Sequence, residues 1–95
     1  MLHMLMQSPF ETNVLLINQM LEPLDDFIAL QNGVFISLAN NVFCHEFQSA
    51  PCSLFVLKED LLARGLLSKV NPVFRIINYS KFVYLTVKHK NQIKW

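Results

Sequence analysis

Lys and Arg are absent from the first 57 residues of this 95-residue chain, and charged residues of both signs make up only 16% of it. Ordinary soluble domains carry about 25% charge and roughly 45 to 50% apolar residues, whereas hydrophobic residues here reach 53%. A single domain of this length buries only about 60 to 65% of the surface its unfolded chain exposes. There is therefore more apolar surface than one small core can hide, and the excess calls for a membrane, a ligand or another subunit. Nor is there a clean membrane span. The longest uncharged run, Phe27 to Cys44, is interrupted by Gln31, Asn32, Gly33, Ser37, Asn40 and Asn41, which hydrocarbon would not tolerate. The opening MLHMLMQSPF has no base ahead of its short apolar run, so it does not read as a secretory leader. A cytoplasmic protein covered by another subunit is expected. Cysteine is also scarce: Cys44 and Cys52 alone make no disulfide framework, which fits a reducing compartment.

What is present alternates between strand and helix signals. Leu2–Met6 is a short apolar run, and Ser8, Pro9 and Glu11 make a capping box with Pro at the first helical position. Phe10, Val14, Ile17 and Leu21 then recur at helical spacing. Phe27–Leu30 reads as a buried strand closed by Gln31-Asn32-Gly33. Ile36, Ala39, Phe43 and Phe47 form a second helical stripe, with Asn40-Asn41 as a potential break and Pro51 as its stop. Ser53–Leu57 is a third strand, followed by a short helix opened by Lys58-Glu59-Asp60 and ended at Gly65 in a left-handed cap. Val73–Ile77 makes a fourth strand. Ser80 is the expected cap of a helix carrying Phe82, Leu85, Thr86 and His89, and Gln92–Trp95 supplies a fifth strand. Right-handed crossovers make this a single α/β layer of one domain, a mostly parallel sheet of four to five strands flanked by helices on both faces. No repeat, linker or low-complexity segment interrupts it.

Charge is segregated along the chain. Residues 1–57 hold five acids and no Lys or Arg, net −5, while residues 58–95 hold eight bases against two acids, net +6. The group Lys81, Lys88, Lys90 and Lys94 reads as a solvated basic helix and tail. The competing reading is a contact with nucleic-acid phosphate or an acidic partner, although no aromatic stacking motif accompanies the lysines.

Catalytic patterns are thin. A reactive cysteine needs an exposed thiol of lowered pKa. Cys44 lies between Phe43 and His45 beside a core-facing stripe and reads as packing. Cys52 precedes the third strand, whereas open α/β sheets bind ligands beyond the carboxyl ends of their strands. Cys44 and His45 point about 100° apart on a helix and make a poor metal pair. Glu59-Asp60 reads as a solvated first turn, and Asn32-Gly33 as a turn rather than a phosphate loop. In a parallel sheet the segments after the strands, Gln7-Ser8, Gln31-Asn32-Gly33, Lys58-Glu59-Asp60 and Asn78-Tyr79-Ser80, gather along one edge, which is the expected functional face.

Four blocks in order, LHMLMQSPF (Leu2–Phe10), DDFIALQNGV (Asp25–Val34), LKEDLLARGL (Leu57–Leu66) and NYSKFVYLTVKHKNQIKW (Asn78–Trp95), resemble the TusB/DsrH family over the whole chain. The resemblance implies a DsrE/DsrH-like α/β fold and the smallest subunit of a sulfur relay, which passes persulfide sulfur toward 2-thiolation of the wobble uridine of tRNA. It implies TusC-like and TusD-like subunits in a heterohexamer, a dimer of trimers, with a TusE-like acceptor and tRNA as indirect partners and no cofactor. Some DsrH-type members carry a cysteine on the first helix; FETNVLLINQML has none, and in this family the indispensable cysteine belongs to the TusD-like partner. A non-catalytic subunit is implied, with Gln31, Asn32, Gly33, Lys58, Glu59, Asp60 and Tyr79 as partner-contact candidates. The alternative is a DsrH-type subunit of a DsrEFH complex in sulfur oxidation, and a third reading is an independent sulfurtransferase using Cys44 or Cys52.

Overall fold

Strand segments that are apolar at successive positions, rather than at alternate ones, must be covered on both faces, the condition of a parallel sheet. In the computed structural model, which describes residues 1–95, five strands form one sheet: β1 (Leu2–Leu5), β2 (Asp26–Ala29), β3 (Ser53–Leu57), β4 (Arg75–Ile77) and β5 (Gln92–Lys94). Their order is β4-β3-β2-β1-β5, and every neighbouring pair is parallel. Successive side chains serve opposite faces: Phe27, Ala29, Leu54 and Val56 enter one core, Ile28, Leu30, Phe55 and Leu57 the other.

The steps from β1 through β4 all move the same way across the sheet. Right-handed crossovers therefore lay their helices on one face. Helices α1 (Val14–Met20), α2 (Val42–Glu46) and α3 (Lys58–Ala63), with a 3₁₀ stretch over Gln31–Ser37, bury Ile17, Val34, Ile36, Phe47 and Leu61 there, in a cluster of 15 buried residues. The return from β4 to β5 reverses direction and carries α4 (Tyr79–Lys88) across the opposite face, where Leu85 is its one buried residue in a smaller cluster of 8.

Local side-chain hydrogen bonds explain where the elements depart from expectation. The stripe from Phe10 to Leu21 is not one helix. Ser8 caps only a 3₁₀ turn at Pro9–Glu11, and α1 begins anew after Asn13, whose side chain accepts from the Leu16 N–H at 3.0 Å. Short polar side chains offer the backbone this alternative to a continuous helix, and Phe10 consequently lies out in solvent, 79% exposed. Asn41 likewise divides the second stripe: its amide donates to the Phe35 carbonyl at 2.7 Å while its oxygen accepts from the Phe43 N–H at 2.8 Å. The fourth strand starts at Arg75, not Val73, because Asn71 holds the Val73 N–H at 2.9 Å in a turn. The last helix is capped by Asn78 rather than Ser80, through the Lys81 N–H at 3.0 Å. Gly65 does adopt the left-handed conformation, φ 67°, as its place after α3 requires.

Candidate functional site

The carboxyl ends of the strands bring most of the expected polar segments together. Gln31 leaves β2 with φ 53°, a conformation costing an ordinary residue about 1 to 2 kcal/mol. Its N–H donates to the Asp60 carboxylate at 2.6 Å, a charge-assisted bond strong enough to hold the strain. Arg64 ties the same loop to α3, donating to the Asn32 side-chain oxygen at 3.0 Å and to the Asp60 carbonyl at 3.1 Å. Glu59 accepts from the Tyr79 N–H at 3.2 Å and so links the starts of α3 and α4. Lys58 is exposed beside them. Gly33 has a different role: it is buried, and a Cβ there would stand 2.0 Å from the Leu5 carbonyl oxygen. It allows the 3₁₀ stretch to pass directly over the end of β1 and presents no surface of its own.

Between this edge and α4 lies an open cleft of about 460 Å³ with an apolar floor of Met4, Met6, Leu30, Leu57 and Phe82. Gln31, Glu59, Asp60, Tyr79 and Lys94 border it. No thiol or imidazole lines this cleft. It suits a binding surface better than a reaction centre, because its carboxylates are already engaged by backbone N–H groups.

The four lysines of the basic segment do not form one patch. Lys88 reaches the amino ends of the strands, 3.0 Å from Asp26, whereas Lys94 borders the cleft at the other end. Lys81 lies over the Tyr84 ring at 4.7 Å, and Lys90 is exposed in the turn before β5.

The densest polar arrangement is at the amino ends of the strands, where the sequence raised no expectation of a site. Asp25 accepts from the N-terminal ammonium at 3.0 Å, from His3 Nε2 at 2.8 Å and from the Glu22 N–H at 3.0 Å. The Trp95 indole, which can only donate, bonds to His3 Nδ1 at 3.2 Å; His3 therefore carries its proton on Nε2 and donates it to Asp25. Burial is the largest influence on Asp25 and pushes its carboxyl up, but the hydrogen bonds from His3, the ammonium and Glu22 together outweigh it and hold the group below its ordinary range. Asp26, buried next to it, accepts from His89 at 2.7 Å and Lys88 at 3.0 Å. Two adjacent acids before an apolar strand, and a lone histidine inside another, were the sequence signals for this network.

Both thiols lie away from the cleft. Cys44 is 1% exposed in the larger core, and burial pushes its pKa up. Cys52, half-buried just before β3, is pushed up to about 11 by burial first and then by the nearby charges of Asp25 and Asp26. No three His, Cys, Asp or Glu side chains converge so as to hold a metal ion, and no helix is long and apolar enough to cross a membrane.

Comparison with known proteins follows the same lines. The profile of a family described as DsrH like protein matches residues 7–92. A protein from Buchnera aphidicola subsp. Baizongia pistaciae named Protein TusB is 52% identical over 95 residues, the whole of both chains. Proteins of the same name from Erwinia tasmaniensis and Escherichia coli K12 are 40% and 37% identical, again over the full length of each. Among solved structures, the solution NMR structure of protein Tm0979 from Thermotoga maritima superposes with a TM-score of 0.69 at 25% identity, covering 96% of this chain and 97% of that one. A profile across nearly the whole chain, full-length relatives and a shared fold lead to one conclusion: the chain belongs to the TusB/DsrH family.

Proposed function

We propose that this chain is a non-catalytic subunit of a cytoplasmic sulfur relay, which acts with TusC-like and TusD-like subunits to pass persulfide sulfur toward 2-thiolation of the wobble uridine of tRNA. Its kinship with proteins named TusB supports the relay. The observation that carries the non-catalytic role is the state of its thiols. A persulfide carrier reacts as the thiolate, and a thiol with a pKa of about 11 is ionised in roughly one molecule in ten thousand at neutral pH. Cys44 is further shielded by the core around it. The sulfur-bearing cysteine then belongs to the TusD-like partner, and this chain completes the assembly around it. The absence of a cysteine from α1 and the name its relatives share favour tRNA thiolation over a DsrEFH role in sulfur oxidation.

The test is a cell whose own copy is replaced by the Cys44→Ser/Cys52→Ser variant. Thiolated wobble uridine, read by mass spectrometry of tRNA nucleosides, is expected to remain, and to disappear when the gene is deleted. Loss of the thiolated base in the double variant, with the protein present at normal abundance, would overturn the non-catalytic assignment, as would a persulfide found on either residue.

A further inference from the structure

Both ring nitrogens of His3 are engaged, and only one protonation state serves them. The residue is 1% exposed on β1; Nε2 donates to Asp25 at 2.8 Å, and Nδ1 accepts from the Trp95 indole N–H at 3.2 Å. The two rings are nearly parallel, 9° between their planes and 6.2 Å between their centres. Trp95 follows β5, an edge strand of three residues in which Gln92 and Lys94 are exposed, and its backbone N–H donates to the Met4 carbonyl at 2.8 Å. Lys94, the residue before it, pairs beside Met4 in the ladder and borders the cleft. The indole thus pins the end of the strand that holds Lys94 at the cleft.

We propose that Trp95 is a pH-sensitive latch on β5: a second proton on His3, at Nδ1, sets donor against donor, frees the indole and loosens the strand beside the cleft. An indole can only donate, so it bonds to a neutral imidazole and not to an imidazolium. The charged groups around His3 set the competition. Asp25, whose carboxyl is held below its ordinary range, stays ionised wherever an imidazole titrates and favours the imidazolium. The Met1 ammonium, 3.0 Å from that carboxylate, opposes it. The Cys52 thiol, with a pKa of about 11, is neutral throughout. Across the ladder His3 is flanked by Phe27 and Ile93, and α1, on the same face of the sheet, carries no charged residue. Asp26, with Lys88 and His89, serves the opposite face. His89 responds the other way, because its bond to Asp26 at 2.7 Å is strengthened by a charge on the ring. One acid step therefore tightens the end of α4 while it releases β5.

The full chain is followed by NMR from about pH 8 to about pH 5, the interval in which imidazoles titrate. Trp95 is its only tryptophan, so a single indole N–H signal reports the latch. At the upper end His3 is expected as the Nε2–H tautomer. Through the step, protection of the indole N–H against exchange, relative to free tryptophan at the same pH, should fall about fivefold, the factor conferred by one hydrogen bond of ordinary net strength. The Trp95 backbone N–H should lose protection at the same midpoint while the amides of β2 and β3 keep theirs. His3→Gln, which cannot titrate, should show no step, and His89→Gln, which can still donate to Asp26, should retain it. If His3→Gln folds poorly, the ring-nitrogen chemical shifts of the wild-type chain make the same assignment, since His3 must titrate at the indole's midpoint. Indole protection that stays constant across the range, a step that survives in His3→Gln, or a midpoint that follows another histidine overturns the latch. Loss of protection throughout the sheet at that midpoint also overturns it, because the event is then acid unfolding and not the release of one strand.

Discussion

Replacing Asp25 by Asn is the sharpest probe of the network at the amino ends of the strands. One carboxylate oxygen serves both His3 Nε2 and the Glu22 N–H, and the other serves the N-terminal ammonium. An amide keeps one acceptor. Its best orientation retains the two bonds of the buried side and turns its NH₂ toward the ammonium, so one charge-assisted bond, worth about 1.5 to 3 kcal/mol, becomes a donor-donor contact. The ammonium side is 44% exposed, so water recovers part of the loss and about 1.5 kcal/mol is expected. For a chain of this length that lowers Tm by about 6 to 12 °C at pH 7. The pH dependence follows from the depressed carboxyl. Its contribution to stability is fully present above the unfolded pKa, near 3.8, and is lost as pH falls through the lower folded value. The gap between wild type and variant must therefore close as the pH is taken below that point, since the other acids titrate alike in both proteins. Circular dichroism melts at pH 7 and through the acid range measure this directly. A variant that melts within ~2 °C of wild type at pH 7, or a gap that stays constant into strong acid, would refute the account of Asp25.

Two further outcomes separate steric from chemical claims. Gly33→Ala should cost more than about 3 kcal/mol in denaturant unfolding, because its Cβ meets backbone at the end of β1, whereas Gly65→Ala, with nothing within 4 Å of the added carbon, should cost only about 1 kcal/mol for its positive φ; equal losses would contradict that distinction. Alkylation of Cys52 by iodoacetamide should be slow at pH 7 and climb steeply only toward pH 11, and a reaction already maximal near neutrality would show that a thiolate is held there.

The periodicity of the sequence located all five strands to within two residues at their ends and called for helices on both faces, because apolar runs, prolines and the rule of right-handed crossovers act at the level of whole elements. What it blurred were boundaries decided by one side chain. Asn13, Asn41, Asn71 and Asn78 each bond to a nearby backbone N–H, and each moved an element's start from where hydrophobic spacing alone would put it. Nothing in composition tells an Asn that caps from an Asn that merely sits in a loop; the distinction depends on whether the chain before it is already committed elsewhere.

The two ends of the sheet divide the work for a physical reason. At the carboxyl ends each strand is followed directly by a polar turn, so topology alone gathers Gln31, Asp60 and Tyr79, and that edge is legible in the order of residues along the chain. At the amino ends the groups arrive from remote parts of the chain: His3 from β1, Asp25 and Asp26 from the entry to β2, Lys88 and His89 from the end of α4, Trp95 from beyond β5. Only the parallel register, with Leu2 beside both Asp26 and Gln92, makes them neighbours. Their polar contacts are satisfied within the chain, which fastens β5 and α4 to the two central strands, while the exposed apolar face of α4 is left without a partner. A small domain whose amino edge is tied internally keeps its fold even with Val83 and Val87 of α4 exposed.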